Sequence, residues 1–152
     1  WSSEAGRAQA KADGETVPES RAAFFGTCDV VSLHLRLTSE TRGSVTADDL
    51  GAMPPRSVLV NTSRAGLIAE GALLQALNAG HLGAAAVDVF DFEPLTDPSD
   101  PLLSHPKMIA TPHIGFVTED EFDKQFADIF EQVNAYAAGA PIHMINPSVY
   151  AP

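Results

Sequence analysis

Residues 57–89 read SVLVNTSRAGLIAEGALLQALNAGHLGAAAVDV, and the topology of the chain follows from this segment. Ser57 to Asn61 (SVLVN) is apolar and rich in valine, which predicts a buried strand. Glu70 to Ala79 (EGALLQALNA) has the apolar spacing of an amphipathic helix, and Gly80 stands where such a helix ends. Gly83 to Val89 (GAAAVDV) predicts a second strand. A strand, a helix and a strand in this order form a βαβ unit, whose strands run parallel.

The same alternation continues on both sides of this segment. Cys28 to Leu35 (CDVVSLHL) and Lys107 to Thr111 are further strand candidates. Thr118 and Glu121 form a T-x-x-E capping box at the start of the longest helix, whose apolar residues recur at steps of three and four. Shorter helices are expected over Glu4–Ala12 and Glu19–Phe25, and after a Thr46 cap. The pattern therefore predicts an α/β fold with a parallel sheet.

Composition and charge exclude several classes of function. The chain has 152 residues, of which 45% are hydrophobic and 19% charged, as in ordinary globular domains. Nine Lys and Arg oppose 20 Asp and Glu, which gives a net charge of −11. A surface of this sign repels phosphate backbones, so we expect no nucleic-acid binding. Because no apolar run approaches the roughly 18 residues that span a membrane, we also expect no membrane association.

Cysteine and histidine give no sign of a metal site. Cys28 is the only cysteine, so the chain can form no internal disulfide, and we expect a reducing, cytoplasmic environment. The spacing of His105 and His113 is not a recurrent ligand spacing, and no metal is predicted. His81, His105 and His143 are interpreted as turn, loop and tail residues.

Polar residues cluster where the predicted strands end. Parallel strands end at one edge of a sheet, and α/β proteins bind ligands at that edge. We therefore expect one rim to carry an arginine, two carboxylates and two histidines. In chain order the residues are His34; Thr62, Ser63 and Arg64; Asp88 and Glu93; and His113.

The chemistry of three of these residues is complementary. Arg64 has a planar guanidinium that can grip a carboxylate through two parallel hydrogen bonds, although a solvated loop arginine fits equally well. His113 stands in the sequence TPHIG, and Glu93 stands in the loop before it. Alone, each would be a surface residue. Together they could form a carboxylate–imidazole pair that keeps the ring charged as a proton donor near neutrality.

Asp88 and the loop after it have two interpretations each. A carboxylate at the end of an apolar strand needs a partner, which could be a ligand amide or a cap or turn hydrogen bond. The Pro-rich stretch Asp91 to Pro106 is long for a structureless connection, and loops of this length are often functional.

Four blocks of the chain resemble, in order and spacing, the characteristic segments of the D-2-hydroxyacid dehydrogenases. The resemblance implies an incomplete Rossmann-type, doubly wound parallel sheet followed by a long C-terminal helix. It also implies an NAD(P)-dependent oxidoreductase acting on D-2-hydroxy acids or 2-keto acids. The blocks are Cys28–Thr38 (CDVVSLHLRLT), Asn61–Leu73 (NTSRAGLIAEGAL), Ala86–Leu95 (AVDVFDFEPL) and Thr111–Gly115 (TPHIG).

The resemblance assigns roles residue by residue. Arg64 matches the arginine that binds the substrate carboxylate and carbonyl, His113 the acid–base histidine, and Glu93 its paired acid. Asp88 matches the aspartate that binds the nicotinamide carboxamide. The remaining cofactor contacts implied are those on the adenosine side (His34, Leu35 and Arg36), along the nicotinamide (Thr62, Ser63 and Gly115) and at the ribose (Ser2).

The chain departs from the family pattern at several points. Ala65 stands where glycine is usual and Arg36 where proline is usual, and no G-x-G-x-x-G occurs. NAD is the cofactor that the resemblance implies. NADP is also possible, because Ser2 stands where an acidic residue would favour NAD. We interpret the chain as a fragment. Residues 1–117 would be the C-terminal part of a nucleotide-binding (Rossmann) domain. Residues 118–152 would be a helix and tail that pack toward a missing substrate domain.

By resemblance, the partners are a small 2-keto or 2-hydroxy acid and a second copy of the chain in a homodimer. The fragment alone is expected to be inactive. Some relatives are dinucleotide-sensing, corepressor-like binding proteins that keep the same residues, and this alternative stays open. It predicts negligible turnover.

Overall fold

A computed structural model describes residues 3–150 of the chain. Four parallel strands form one sheet in the order β1-β2-β3-β4, so each strand pairs with the next one in sequence. The strands are β1 (Val30–Leu33), β2 (Val58–Asn61), β3 (Ala84–Val87) and β4 (Met108–Ala110). Each of the four predicted strands is present, and the predicted α/β fold is confirmed.

Five α-helices surround or follow the sheet in the described residues. Two short 3-10 helices, Ala65–Leu67 and Pro147–Val149, complete the set. The α-helices are α1 (Glu4–Ala12), α2 (Arg21–Thr27), α3 (Ala47–Ala52), α4 (Ala72–Ala79) and α5 (Glu119–Ala137).

Helix boundaries differ from the sequence prediction where a cap residue sets them. The helix predicted from Glu70 begins at Ala72, because Gly71 adopts a left-handed conformation with φ of 71°. The helix predicted from Glu19 begins at Arg21, because the Ser20 hydroxyl caps it by accepting from the Ala23 N–H.

One hydrophobic core joins the sheet to α2, α3 and α4. Val31, Leu59 and Ala85 are paired in register on neighbouring strands, and all three are buried. They belong to the same cluster as Phe25 of α2 and Leu50 of α3. Burial of this apolar surface is the main stabilising contribution, and it orients the strand ends.

An ion pair that the sequence did not suggest ties α2 to α3. Arg21 donates to both carboxylate oxygens of Asp49, from Nε at 2.7 Å and from Nη2 at 2.5 Å. Burial of the Asp49 carboxyl favours its neutral form, but hydrogen bonds from Arg21 and Thr46 outweigh that effect and hold the pKa of Asp49 below its ordinary value. Asp49 also completes a reciprocal capping box with Thr46 at the start of α3.

The chain divides into two compact units, Trp1–His113 and Ile114–Pro152. The second unit contains α5, whose first turn is capped by Thr118 through the Glu121 N–H at 3.2 Å. Its apolar stripe is exposed, with Phe122 at 55% and Phe130 at 61%. The division into residues 1–117 and 118–152, with α5 packing on another domain, remains a prediction.

Within residues 3–150, no helix is both long and apolar enough to cross a membrane.

Candidate active site

The predicted polar residues follow the strands of the sheet at one edge. His34 comes directly after β1, Thr62 after β2 and Asp88 after β3. Because all four strands are parallel, these ends lie along the same edge. The edge is therefore the candidate site, and its loops position the functional side chains.

A buried asparagine shapes the loop that carries Arg64. Asn61 is 1% exposed, and its Nδ2 donates to the Arg64 carbonyl at 2.9 Å. Its Oδ1 accepts from the Ser63 N–H at 3.1 Å. The side-chain amide of Asn61 thus closes the turn over residues 61–64 and fixes the backbone at Arg64. Sequence reasoning placed Asn61 at the strand end but assigned it no role.

Hydrogen bonds also join the loops after β1 and β2. The Ser63 hydroxyl donates to the Leu35 carbonyl at 2.8 Å, which brings these two predicted cofactor contacts together. The Arg36 carbonyl accepts from the Thr41 hydroxyl at 2.6 Å, and His34 Nε2 lies 2.8 Å from the Ser32 hydroxyl. His34 and Leu35 line a cavity of about 370 Å³ beside β1.

Glu93 and His113 form the central contact of the site. Nδ1 of His113 lies 2.6 Å from Oε2 of Glu93, so the carboxylate–imidazole contact expected from the sequence is present. The other carboxylate oxygen, Oε1, accepts from the Phe90 N–H at 2.8 Å. With both oxygens engaged, the carboxylate is fixed in orientation and in turn fixes the imidazole ring.

Electrostatics favour the charged form of Glu93. Its pKa lies below the ordinary value, mainly because of the hydrogen bond with His113 and then because of the Phe90 N–H. The positive charges of His113 and Arg64 act in the same direction.

Arg64 points its side chain back at its own loop in this structure. Nη1 donates to the Ser63 carbonyl at 2.6 Å, and the residue is exposed. Thr62, beside it, is also exposed. The structure thus brings Glu93 and His113 into contact, whereas the Arg64 side chain contacts its own loop.

The backbone of His113 adopts an uncommon conformation. Its φ is +57°, in the left-handed region that L-residues rarely adopt, and its N–H donates to the Thr111 carbonyl at 3.0 Å. Histidine tolerates this region better than most residues, but the conformation still costs free energy. Residues in such conformations cluster at functional sites, which supports a functional position for His113.

Asp88 is 3% exposed and has a partner within the chain. The Thr111 hydroxyl donates to Oδ1 of Asp88. This bond comes from a neighbouring strand end and is neither the cap nor the turn hydrogen bond considered from the sequence, and the ligand amide remains a prediction. Asp88 lies next to β3 and Thr111 next to β4, so the sheet sets this contact.

A mainly apolar cavity of about 550 Å³ lies against the Glu93–His113 pair. Its other lining residues are Phe90, Pro94, Leu95, Leu103, Ala110, Thr111 and Pro112.

Two predicted cofactor contacts are not tested by the structure. Ser2 lies outside the described residues, and Gly115 belongs to the second compact unit. Their contacts with a cofactor remain predictions. Within residues 3–150, no group of three or more His, Cys, Asp or Glu side chains could hold a metal ion. His105 has a local role, since its Nδ1 accepts from the Lys107 N–H at 3.2 Å.

One family model matches the part of the chain that contains the candidate site. The family model described as "D-isomer specific 2-hydroxyacid dehydrogenase, NAD binding domain" matches residues 2–115. This range includes every residue that the sequence assigned to the site.

Individual relatives agree in sequence and in structure. D-3-phosphoglycerate dehydrogenase from Bacillus subtilis is 38% identical over 116 residues, which are 76% of this chain and 22% of the relative. Glyoxylate reductase from Aeropyrum pernix is 36% identical over 122 residues, 80% of this chain and 36% of the relative. A crystal structure of a candidate D-3-phosphoglycerate dehydrogenase oxidoreductase from Ralstonia solanacearum superposes with a TM-score of 0.91 at 41% identity, covering all of this chain and 44% of the other. The chain therefore spans less than half the length of each of these proteins.

Proposed function

This chain belongs to the D-isomer specific 2-hydroxyacid dehydrogenase family through its NAD-binding domain, and on that basis we propose that it serves in the reduction of 2-keto acids and the oxidation of D-2-hydroxy acids. The activity is proposed for an enzyme of the relatives' length that contains these residues. The observation that carries the proposal is the 2.6 Å contact between His113 and Glu93 at the edge of the sheet.

His113 is proposed as the proton donor for keto-acid reduction. Nδ1 faces the Glu93 carboxylate, so Nε2 is the ring nitrogen assigned to the substrate oxygen. The contact with Glu93 holds the ring in one orientation before transfer. In the oxidative direction the neutral ring accepts the hydroxyl proton, and Glu93 stabilises the resulting charge.

Arg64 is proposed to bind the substrate. Its guanidinium matches the geometry of a carboxylate, and a second donor can polarise the carbonyl at C2. Both effects lower the barrier, one by orienting the substrate and the other by stabilising negative charge on the carbonyl oxygen. When the substrate binds, Arg64 would release the Ser63 carbonyl that it contacts in this structure and donate to the substrate carboxylate instead.

The residues at this edge fit the nicotinamide half of NAD. When bound, this cofactor supplies or accepts the hydride at C2 of the substrate. Asp88 offers a buried carboxylate suited to an amide donor, and Thr62 and Ser63 offer hydroxyls beside Arg64. The cavity lined by His34 and Leu35 is assigned to the adenosine end, with Arg36 next to it. The 152 residues contain no glycine-rich phosphate loop.

Cofactor choice and assembly are further parts of the proposal. NAD is the expected cofactor, and NADP remains possible because Ser2 occupies the position that discriminates between them. We assign the exposed apolar stripe of α5 to packing against a substrate domain, and we expect a homodimer in the cytoplasm. Resemblance to the family and the single cysteine support these assignments.

A substrate panel tests the proposal. The full-length enzyme is assayed with glyoxylate, hydroxypyruvate, pyruvate and 3-phosphohydroxypyruvate, each with NADH and with NADPH. Turnover of at least one keto acid is expected. Tight dinucleotide binding without turnover of any of them would contradict the proposal and favour a binding protein.

A further inference from the structure

The turn that carries Arg64 is held between two buried residues. Asn61 is the last residue of β2 and is 1% exposed, and Leu67 ends the 3-10 helix that follows the turn and is fully buried. The Asn61 carbonyl accepts from the Asp88 N–H at 3.0 Å, so the sheet fixes the backbone before the turn. The Leu67 N–H donates to the Arg64 carbonyl at 3.3 Å, and the Leu67 carbonyl accepts from the Val45 N–H at 2.9 Å. The backbone is therefore anchored on both sides of Arg64.

The Asn61 side chain spans this turn with both of its polar atoms. Oδ1 accepts from the Ser63 N–H at 3.1 Å, as in an Asx turn, and Nδ2 donates to the Arg64 carbonyl at 2.9 Å. An ionised aspartate has no donor, and a serine side chain ends at the position of the asparagine Cγ, so neither replaces both bonds. The buried amide is thus fully used in shaping the backbone from residue 61 to residue 64.

The Arg64 backbone is fixed, whereas its side chain extends from the turn into an exposed position. The backbone is extended, with φ of −150° and ψ of 136°, and the guanidinium contacts the Ser63 carbonyl. The point from which the side chain leaves the backbone determines where a bound carboxylate can meet the guanidinium. A displacement of about 1 Å in a substrate-binding group can lower a rate by about a hundredfold. A group that holds this point in place therefore contributes to catalysis.

We propose that Asn61 is a positioning residue whose side-chain amide fixes the Arg64 backbone, so that the guanidinium meets the substrate carboxylate in the productive orientation. This inference rests on the proposed function. Asn61 acts through Arg64 and does not itself contact the substrate. A turn that is ordered before the substrate binds loses less conformational freedom on binding, so the amide contributes to transition-state affinity.

A double-mutant cycle on the full-length enzyme tests this role. Asn61→Ser leaves an oxygen for the Ser63 N–H and removes the donor to the Arg64 carbonyl. Alone, it should lower kcat/KM about tenfold for the keto acid that the wild type reduces fastest, the order expected for one lost hydrogen bond. In an Arg64→Gln background, the same substitution should lower kcat/KM by less than about twofold, because the group that Asn61 positions is already absent.

Ser57→Ala is the matched control on the same strand. Ser57 is fully buried at the opposite end of β2, and its hydroxyl has no hydrogen-bond partner within residues 3–150. Its removal should leave kcat/KM unchanged in both backgrounds. If thermal melting shows that Asn61→Ser does not fold, Asn61→Asp keeps the shape and the acceptor for the Ser63 N–H and lacks the donor. The same dependence on Arg64 is then expected.

Equal losses in the two backgrounds would indicate a merely structural role and overturn the inference, as would a wild-type kcat/KM in Asn61→Ser. The failure of the proposed function is recognised separately. A wild-type enzyme that reduces no keto acid, or an Arg64→Gln variant with unchanged kcat/KM, overturns both the proposed role of Arg64 and that of Asn61. A large loss in Arg64→Gln, together with additive effects of Asn61→Ser, overturns only the role of Asn61.

Discussion

Oε2 of Glu93 lies 2.6 Å from Nδ1 of His113, across twenty residues of sequence. The Phe90 N–H holds the second carboxylate oxygen at 2.8 Å, so the imidazole is oriented by a group that is itself fixed. Under the proposed function, these contacts orient the ring so that Nε2 of His113 serves in proton transfer.

Replacing the proton donor should nearly abolish catalysis. His113→Gln in the full-length enzyme is expected to lower kcat for keto-acid reduction by about 10²- to 10⁴-fold, because no other group is assigned to donate the proton. Steady-state kinetics with NADH measure the loss. His105→Gln is the control, since His105 lies in a loop outside the site and should leave kcat unchanged. A near wild-type kcat in His113→Gln would refute the assignment.

Removing the charge of Glu93 should change the pH profile. The pKa of Glu93 lies below the ordinary value of 4.5 because of the hydrogen bond with His113 and the Phe90 N–H. At pH values above 4.5 the Glu93 side chain is therefore charged and holds His113 by a hydrogen bond. This effect is lost only as the pH falls through the lowered pKa of Glu93. Glu93→Gln should reduce the rate at pH 7 about tenfold, because the neutral amide lacks the charge that the carboxylate places beside the ring. The difference from the wild type should narrow as the pH falls through the lowered pKa of Glu93, where the wild-type carboxyl is neutral as well.

The control for this variant is Asp91→Asn, which removes an exposed carboxylate from the same loop. Its pH profile should match that of the wild type. Identical profiles for Glu93→Gln and the wild type would show that the carboxylate does not influence proton transfer.

Arg64 should contribute to both binding and turnover. Arg64→Gln is expected to raise KM for the keto acid and lower kcat, with a loss in kcat/KM of about a hundredfold or more, because carboxylate binding and carbonyl polarisation are both lost. Arg56→Gln is the control, because Arg56 is exposed and precedes β2 at the opposite end of the strand. An unchanged kcat/KM in Arg64→Gln would remove Arg64 from the mechanism.

The Arg21–Asp49 pair should stabilise the fold in a pH-dependent way. Asp49→Asn is expected to lower the free energy of unfolding by about 1 to 2 kcal/mol at pH 7, a figure reduced by the partial exposure of Arg21. The pKa of Asp49 is lowered despite its burial, so the stabilisation is present above the ordinary value of 3.8 and disappears as the pH falls through the lowered pKa. Urea unfolding at pH 7 and at lower pH measures both effects.

An exposed pair provides the comparison for this test. Nζ of Lys124 lies 3.0 Å from Oδ2 of Asp128, which is one turn further along α5, and both side chains are largely exposed. Solvent screens such pairs, so Asp128→Asn should cause no measurable loss. A difference between Asp49→Asn and wild type that stays constant across pH would mean that the ion pair is not the source of the stability.

The secondary structure was predictable because its signals are local. Periodic apolar residues and hydroxyl caps predicted all four strands and α1, α3 and α5. The errors lie at the boundaries: each strand is one to four residues shorter than predicted, and α2 and α4 each begin two residues later than predicted. The arrival of His34, Thr62, Asp88 and His113 at one edge was also predictable, because parallel strands end together.

Other features depend on contacts that span long stretches of chain, and local patterns do not reveal those. The hydrogen bond from Thr111 to Asp88 arises from the register of β3 with β4, and the Arg21–Asp49 pair arises from how α2 packs on α3. The left-handed backbone of His113 and the present contact of Arg64 with the Ser63 carbonyl likewise follow from loop geometry. Residue types and their order specified which chemical groups reach the edge of the sheet, whereas packing and register selected the partner and direction of each group.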